Sequence, residues 1–116
     1  IYVADRENAR IQVFDHAGKL VASRVSPAGN HTYSLKALGG GRLLAVEGRD
    51  GADRKGAILR VYAADGTIEA SYDIGLPGDD ASLGHDLALD GKGHAYVTDV
   101  NGGRVVRVTL SEGAAK

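Results

Sequence analysis

Three side chains in this sequence have types and neighbours suited to chemistry: Arg6, His85 and Asp86. Arg6 follows the apolar run Ile1-Tyr2-Val3-Ala4 and its closing Asp5, so it stands on the loop side of a strand end. A guanidinium is a planar fork of donors that matches a carboxylate or similar anion. The plainer reading is a solvated surface arginine. His85 opens the run His85-Asp86-Leu87-Ala88-Leu89. Its imidazole suits a metal, but a metal site needs several ligands, and the chain places no partner histidine in register with it. The plainer reading here is a packed, hydrogen-bonded histidine. Asp86 comes next and, in a regular strand, points to the opposite face.

Other candidate constellations fail on their own chemistry. The run Asp5 to Arg10 resembles the start of a calcium loop but lacks the required Gly and the distal Glu. Gly39-Gly40-Gly41 has neither the spacing nor the lysine of a phosphate loop and reads as a hairpin turn. Asn30-His31-Thr32 is a glycosylation sequon, which matters only in a secreted eukaryotic protein. His16, His31 and His94 fall in turns or at strand starts and are expected in solvent. No Ser-His-Asp set can be assembled.

Composition narrows the class. Lys and Arg number 14 against 15 Asp and Glu, a net charge of −1, so there is no basic excess to hold nucleic acid. Hydrophobic residues at 43% and charged residues at 25% are those of a globular domain, and no apolar run approaches the ~20 residues of a membrane span. The absence of Cys removes disulfides, zinc knuckles and thiol nucleophiles. Met is absent too, so Ile1 is not expected to be the native start.

The elements that must position these residues are short strands. The 17 glycines punctuate runs of Val, Ile, Leu, Tyr and Thr, and no window keeps a helical stripe. Strands are expected at Ile1–Ala4, Arg10–Phe14, Lys19–Val25, Tyr33–Leu38, Arg42–Glu47, Ala57–Tyr62, Thr67–Ile74, His85–Leu89, His94–Thr98 and Arg104–Leu110, with a charged loop from Gly48 to Gly56. The order repeats. Tyr2-Val3-Ala4-Asp5 matches Tyr96-Val97-Thr98-Asp99 at an offset of 94, and Arg10 then falls on Arg104. Glu47 takes the Asp position about halfway, and half of 94 is 47, close to the period of a four-stranded propeller blade. The expected fold is all-β, a β-propeller segment with an incomplete blade at 1–30, a complete one at 31–78 and an incomplete one at 79–116.

Copies of a repeat provide an internal control. Asp5, Asp99, Arg10 and Arg104 recur, so they are expected to build blades: the Asp accepts turn N–H groups and the Arg covers the neighbouring blade. Arg6-Glu7 meets Val100-Asn101 in the third copy, and His85-Asp86 meets Tyr33-Ser34 in the middle one. Residues found in one copy only are the candidates for function.

The run Val3-Ala4-Asp5-Arg6-Glu7-Asn8-Ala9-Arg10-Ile11-Gln12-Val13-Phe14 resembles the blade signature of NHL-repeat propellers. More narrowly it is similar to the peptidyl-α-hydroxyglycine α-amidating lyases, and Gly84-His85-Asp86-Leu87-Ala88-Leu89 matches the last inner strand of that family. The resemblance covers the whole chain and implies two to three blades of a six-bladed ring. It implies cleavage of peptidyl-α-hydroxyglycine to a peptide amide and glyoxylate, with zinc polarising the hydroxyl. By that resemblance His85 is one of three zinc histidines, Asp86 helps hold a structural calcium, and Arg6 is the active-site arginine. The other zinc histidines, the base tyrosine and a second arginine belong to blades outside this chain, so the chain alone is expected to be inactive. Leu83 stands where animal members carry Met, and the missing cysteines suggest a bacterial relative, secreted or periplasmic. The expected partners are the remaining blades or further copies that close the ring, and a peptide substrate. The alternative is a non-catalytic NHL-repeat scaffold that binds a protein or ligand.

Overall fold

The computed structural model describes residues 1–48, 57–74 and 83–111. Ten strands follow one another: β1 Tyr2–Asp5, β2 Arg10–Phe14, β3 Leu20–Val25, β4 His31–Gly39, β5 Arg42–Gly48, β6 Ala57–Tyr62, β7 Ile68–Asp73, β8 Gly84–Leu89, β9 His94–Asp99 and β10 Arg104–Thr109. They form three antiparallel sheets, β1-β2-β3, β4-β5-β6-β7 and β8-β9-β10. The only helical turns among the described residues are 3-10 turns at Arg6–Asn8 and Pro27–Gly29. Most of the expected charged loop, and the expected boundary at 78/79, lie outside the described residues.

Sequence chemistry explains why each strand turns back into the next. Asp15, Asp65 and Asp90 each follow a strand and accept N–H bonds from residues just beyond: Ala17 and Lys19, Thr67, and Lys92 and His94. A short acceptor side chain thus stands in for a missing ladder partner. The turn between β4 and β5 needs three consecutive positive φ angles at Gly39, Gly40 and Gly41 (87°, 60° and 76°), which only glycine adopts without strain.

The sheets stack face to face, and β5 shows how. Leu43 and Ala45 pack with Ile11, Tyr62, Tyr2 and Leu35 against the first sheet. Leu44 and Val46 pack with Leu87, Ala95 and Val97 of the third. A strand covered on both sides has no polar face, so Leu43-Leu44-Ala45-Val46 is a continuous apolar run, at most 1% exposed. The edge strands β3, β7 and β10 instead alternate half-buried with exposed residues. Each fully buried aliphatic side chain in this double core contributes ~1.5–3 kcal/mol.

β4, β5, β8 and β9 run slightly longer than the hydrophobic pattern suggests, and β3, β7 and β10 slightly shorter. β4 starts at His31, two residues before the apolar run, because His31 and Thr32 pair with Gly48 and Glu47 of β5. Two histidines depart from the solvated reading: the Nδ1 of His31 is buried, and the Nδ1 of His94 lies 2.6 Å from Asp90 Oδ2 with the side chain 30% exposed. His16 is exposed.

Candidate functional site

The site forms where β4 meets the end of β1 on one side and β8 on the other. β1 ends at Asp5, and a 3-10 turn at Arg6–Asn8 closes on Ala9, whose φ is 49° and whose N–H donates to the Arg6 carbonyl. Asp5 holds this turn: its Oδ1 accepts Asn8 Nδ2 at 2.9 Å and its Oδ2 accepts Arg10 Nε at 2.6 Å. The Arg10 and Asn8 bonds keep the Asp5 carboxyl below its ordinary range. Arg6 therefore leaves the first position of a braced turn, toward β4.

In β4 the pairing with β5 shifts between Thr32 and Ser34, and in β8 the pairing with β9 shifts between Gly84 and Asp86. Tyr33 and His85 are the residues at these two irregularities, the same place in two copies of the repeat. A bulge of this kind leaves one residue out of the ladder and re-aims its side chain. The simple alternation expected for His85 and Asp86 is broken here, because a bulge interrupts the period-two rule on which it rests. The two side chains meet: the rings of Tyr33 and His85 lie 5.0 Å apart between centroids, tilted by 45°. Arg6 joins from the other sheet, its Cζ 5.2 Å from the Tyr33 ring centre. At exposed sites a cation over an aromatic face is worth ~0.5–1 kcal/mol.

Behind the cluster, Gly48 makes room. A Cβ there would come within 2.5 Å of both Tyr33 Cε2 and Leu83 Cδ1. Arg6 also donates from Nε to Glu7 Oε1 at 2.7 Å, but the side chains are 48% and 71% exposed, so the pair adds little.

Asp86 bridges two sheets. Its Oδ1 accepts Ser34 Oγ at 2.7 Å and the Leu87 N–H at 2.8 Å, and its own N–H donates to Thr98 Oγ1 at 3.0 Å. The Ser34 bond, then the Leu87 N–H, hold its carboxyl below the usual range, with Lys36 and His85 acting in the same direction. It also borders a hollow of about 140 Å³ lined by Leu87, Ala88, Tyr96, Thr98 and Val105. Among the described residues no three His, Cys, Asp or Glu side chains gather as metal ligands.

Of the residues singled out from sequence, Arg6 and His85 come together over one ring, while Asp86 is engaged by Ser34. Tyr33 and Ser34 were missed as participants. Their signal was present, since they occupy the repeat positions of His85 and Asp86, and equivalent residues of adjacent inner strands stand side by side.

Of the two repeated Asp–Arg pairs, the one at Asp99 takes the expected form, while Asp5 accepts side-chain donors in place of turn N–H groups. Asp99 Oδ1 accepts the N–H groups of Leu83 and Gly102, and Arg104 donates from Nε to Asp99 Oδ2 and from Nη2 to the Ile74 carbonyl of the middle blade. In the middle sheet Glu47, fully buried, accepts Arg60 Nε at 2.8 Å, Asn30 Nδ2 at 3.3 Å and the Tyr62 hydroxyl. Burial, then the bond to Glu47, pushes the Tyr62 phenol far above its ordinary range.

No protein-family model and no curated protein matches this chain. Solved structures do. The streptogramin B lyase structure superposes with a TM-score of 0.66 at 18% identity, covering 98% of this chain and 38% of that one. A protein of unknown function from Bacteroides caccae gives a TM-score of 0.56 at 14% identity, covering 90% of this chain and 40% of the other. At such identities the likeness speaks for the fold alone. The chain is a segment of a propeller-like all-β fold, spanning about two-fifths of the length of the structures it matches.

Proposed function

We propose that this chain supplies part of the channel wall of a lyase of the peptidyl-α-hydroxyglycine α-amidating type. The observation that supports the reading is the convergence of Arg6 and His85, from different sheets, on the Tyr33 ring. In the reaction the hydroxyl oxygen gives up its proton and becomes the aldehyde of glyoxylate. The carbon–nitrogen bond breaks, and the nitrogen takes a proton to become the primary amide. The carbon that is cut carries a carboxylate, and the Arg6 guanidinium is the group in the cluster that suits it. His85, exposed beside it, orients the hydroxyl end of the same carbon.

By resemblance, zinc would polarise the hydroxyl and calcium would brace the channel. His85 offers one imidazole and Asp86 one carboxylate. The described residues bring no third or second donor of their own to either, so they do not by themselves fit these ions. The rest of the ring comes from further blades or from association of copies, and the isolated chain is inactive in this reading.

Native mass spectrometry of the chain with added zinc and calcium, followed by a glyoxylate assay on an N-acyl-α-hydroxyglycine, tests the proposal. A closed, metal-loaded assembly that releases glyoxylate, and stops doing so on Arg6→Ala, supports it. A metal-free monomer moves the assay to a longer polypeptide containing the chain. A complete zinc-loaded ring that leaves the substrate intact overturns it. The second reading, a non-catalytic NHL-repeat scaffold, draws on the hollow beside Asp86 and on Val105 at its rim, 64% exposed. Capture of a ligand without turnover is its signature.

A further inference from the structure

We infer that Tyr33 is the positioning residue of this site, a fixed post that holds Arg6 and His85 as one unit; the inference rests on the reading just given. Arg6 and His85 are both exposed, and apart from its solvent-open pair with Glu7 the long arginine side chain has little else to hold it in one rotamer. The Tyr33 ring is half-buried and packs against the core shared by the middle and third sheets. Gly48 and Leu83 bound it closely: the space a Cβ would occupy at Gly48 is already taken by the Tyr33 ring edge and the Leu83 methyl. The ring is thus wedged by the body of the protein, while its exposed part serves the two outer groups.

The geometry matches that role on both sides. Arg6 stands 5.2 Å from the ring centre, within the range of a cation–π contact, and His85 stands 5.0 Å away in a tilted aromatic pair. The two contacts come from different sheets, so the post also ties the turn after β1 to the start of β8. Neither contact requires the phenol hydroxyl. Phenylalanine should therefore preserve the unit, whereas an aliphatic side chain of similar bulk should fill the space and release both partners.

The ligand class that follows is a small carboxylate presented to a guanidinium already held in place, because a group ordered in advance spares the ligand that loss of freedom. Glyoxylate is the probe. Side-chain ¹⁵N relaxation at Arg6 Nε and glyoxylate affinity would be compared in the unmodified chain, Tyr33→Phe and Tyr33→Leu. The expected result is an ordered Arg6 Nε in the first two, with affinities within about twofold of each other. Tyr33→Leu should leave Arg6 Nε mobile and weaken glyoxylate by about threefold to tenfold.

An equally ordered Arg6 and unchanged affinity in Tyr33→Leu would overturn the inference. If Tyr33→Leu fails to fold, nuclear Overhauser contacts from the Tyr33 ring to the Arg6 side chain and the His85 ring in the unmodified chain decide instead, and their absence counts against it. Should the unmodified chain bind no glyoxylate, the small-carboxylate assignment to Arg6 fails, while the Arg6 relaxation still decides the role of Tyr33 and the glyoxylate assay on a closed ring decides the lyase reading.

Discussion

Asp5 and Asp99 hold the same position in two copies of one repeat, yet they stand in different surroundings. Each ends a strand and accepts a guanidinium five residues on, at 2.6 Å from Arg10 and 2.9 Å from Arg104. Asp99 also accepts two backbone N–H groups, and its arginine reaches a carbonyl of the middle blade. The Asp99 side chain is 3% exposed, against 21% for Asp5. Local sequence builds the pair in both places, but the neighbouring sheet decides what it is worth. Solvent screens the open pair, and the covered one stitches two blades together.

The middle copy is a third solution to the same problem. Asp5 and Asp99 lie directly opposite Arg10 and Arg104 in the ladder, whereas Glu47 lies opposite Ile58, and its partner Arg60 is two residues further along β6. The longer Glu side chain spans that diagonal, and Tyr62 and Asn30 take up its other lone pairs. Glu47 is fully buried and Arg60 only 13% exposed. Glu47→Ala leaves a buried guanidinium and phenol without their acceptor. It should cost ~3–5 kcal/mol, more than any other single substitution in the three Asp/Glu–Arg networks. A loss of under ~1 kcal/mol in the unfolding free energy from urea melts would mean that the network contributes no more than an exposed pair.

Next in size is Asp99→Ala. Two backbone N–H groups and Arg104 lose their acceptor at once, and ~2 kcal/mol of stability should go with them. Arg104→Ala breaks the strap to Ile74 and the ion pair but leaves Asp99 to the N–H groups of Leu83 and Gly102, so it should cost less than Asp99→Ala. The two substitutions act on one network, and their double mutant should fall short of the sum. Strict additivity in denaturant melts would show that the turn and the strap are independent.

Much of this organisation is legible in the sequence. Short apolar runs between glycines locate the strands and the repeat identifies the Asp–Arg pairs, while the two-sided cover of β5 emerges only from the packing of the sheets. What stayed hidden depends on pairing between strands. The repeat places Tyr33 and His85 at equivalent positions, but a bulge is set by how two strands register, so nothing in Thr32-Tyr33-Ser34 or Gly84-His85-Asp86 announces that both leave the ladder. His94 departs from its sequence-based expectation for a similar reason. Its turn is polar, but Asp90 folds back across that turn and takes both the His94 N–H and the ring.

Acid should separate the copies less sharply than mutation does. Burial works to raise the Asp90 carboxyl, but N–H bonds from Lys92 and His94 and the His94 ring outweigh it, and its pKa is held down at about 2. Asp5, Asp65 and Asp86 are lowered as well. Each depressed carboxyl adds stability that is present above its unfolded value, near 4, and is lost as pH falls toward the folded one. Stability should therefore be flat near neutrality and decline below about pH 5. Asp90→Asn should make the decline shallower between about pH 4 and pH 2. An identical acid limb in that variant would assign the loss to the other carboxylates.

Asp5→Ala should have the smallest effect of these substitutions, since it removes an open pair and one bond to Asn8. That small effect is the sharpest use of the comparison. The front of the first sheet carries the same Asp and Arg that, on the third sheet, receive the middle blade. Cover it with another blade, from a longer polypeptide or a second copy, and Asp5 enters the surroundings of Asp99. The cost of Asp5→Ala should then rise to the ~2 kcal/mol of Asp99→Ala. Measured on the chain at low concentration and again in any closed assembly, the difference between the two aspartates reports directly on whether that face is filled. A small, unchanged cost for Asp5→Ala in a ring shown by mass to be closed would mean that the covering blade, and not the Asp–Arg pair, holds the interface.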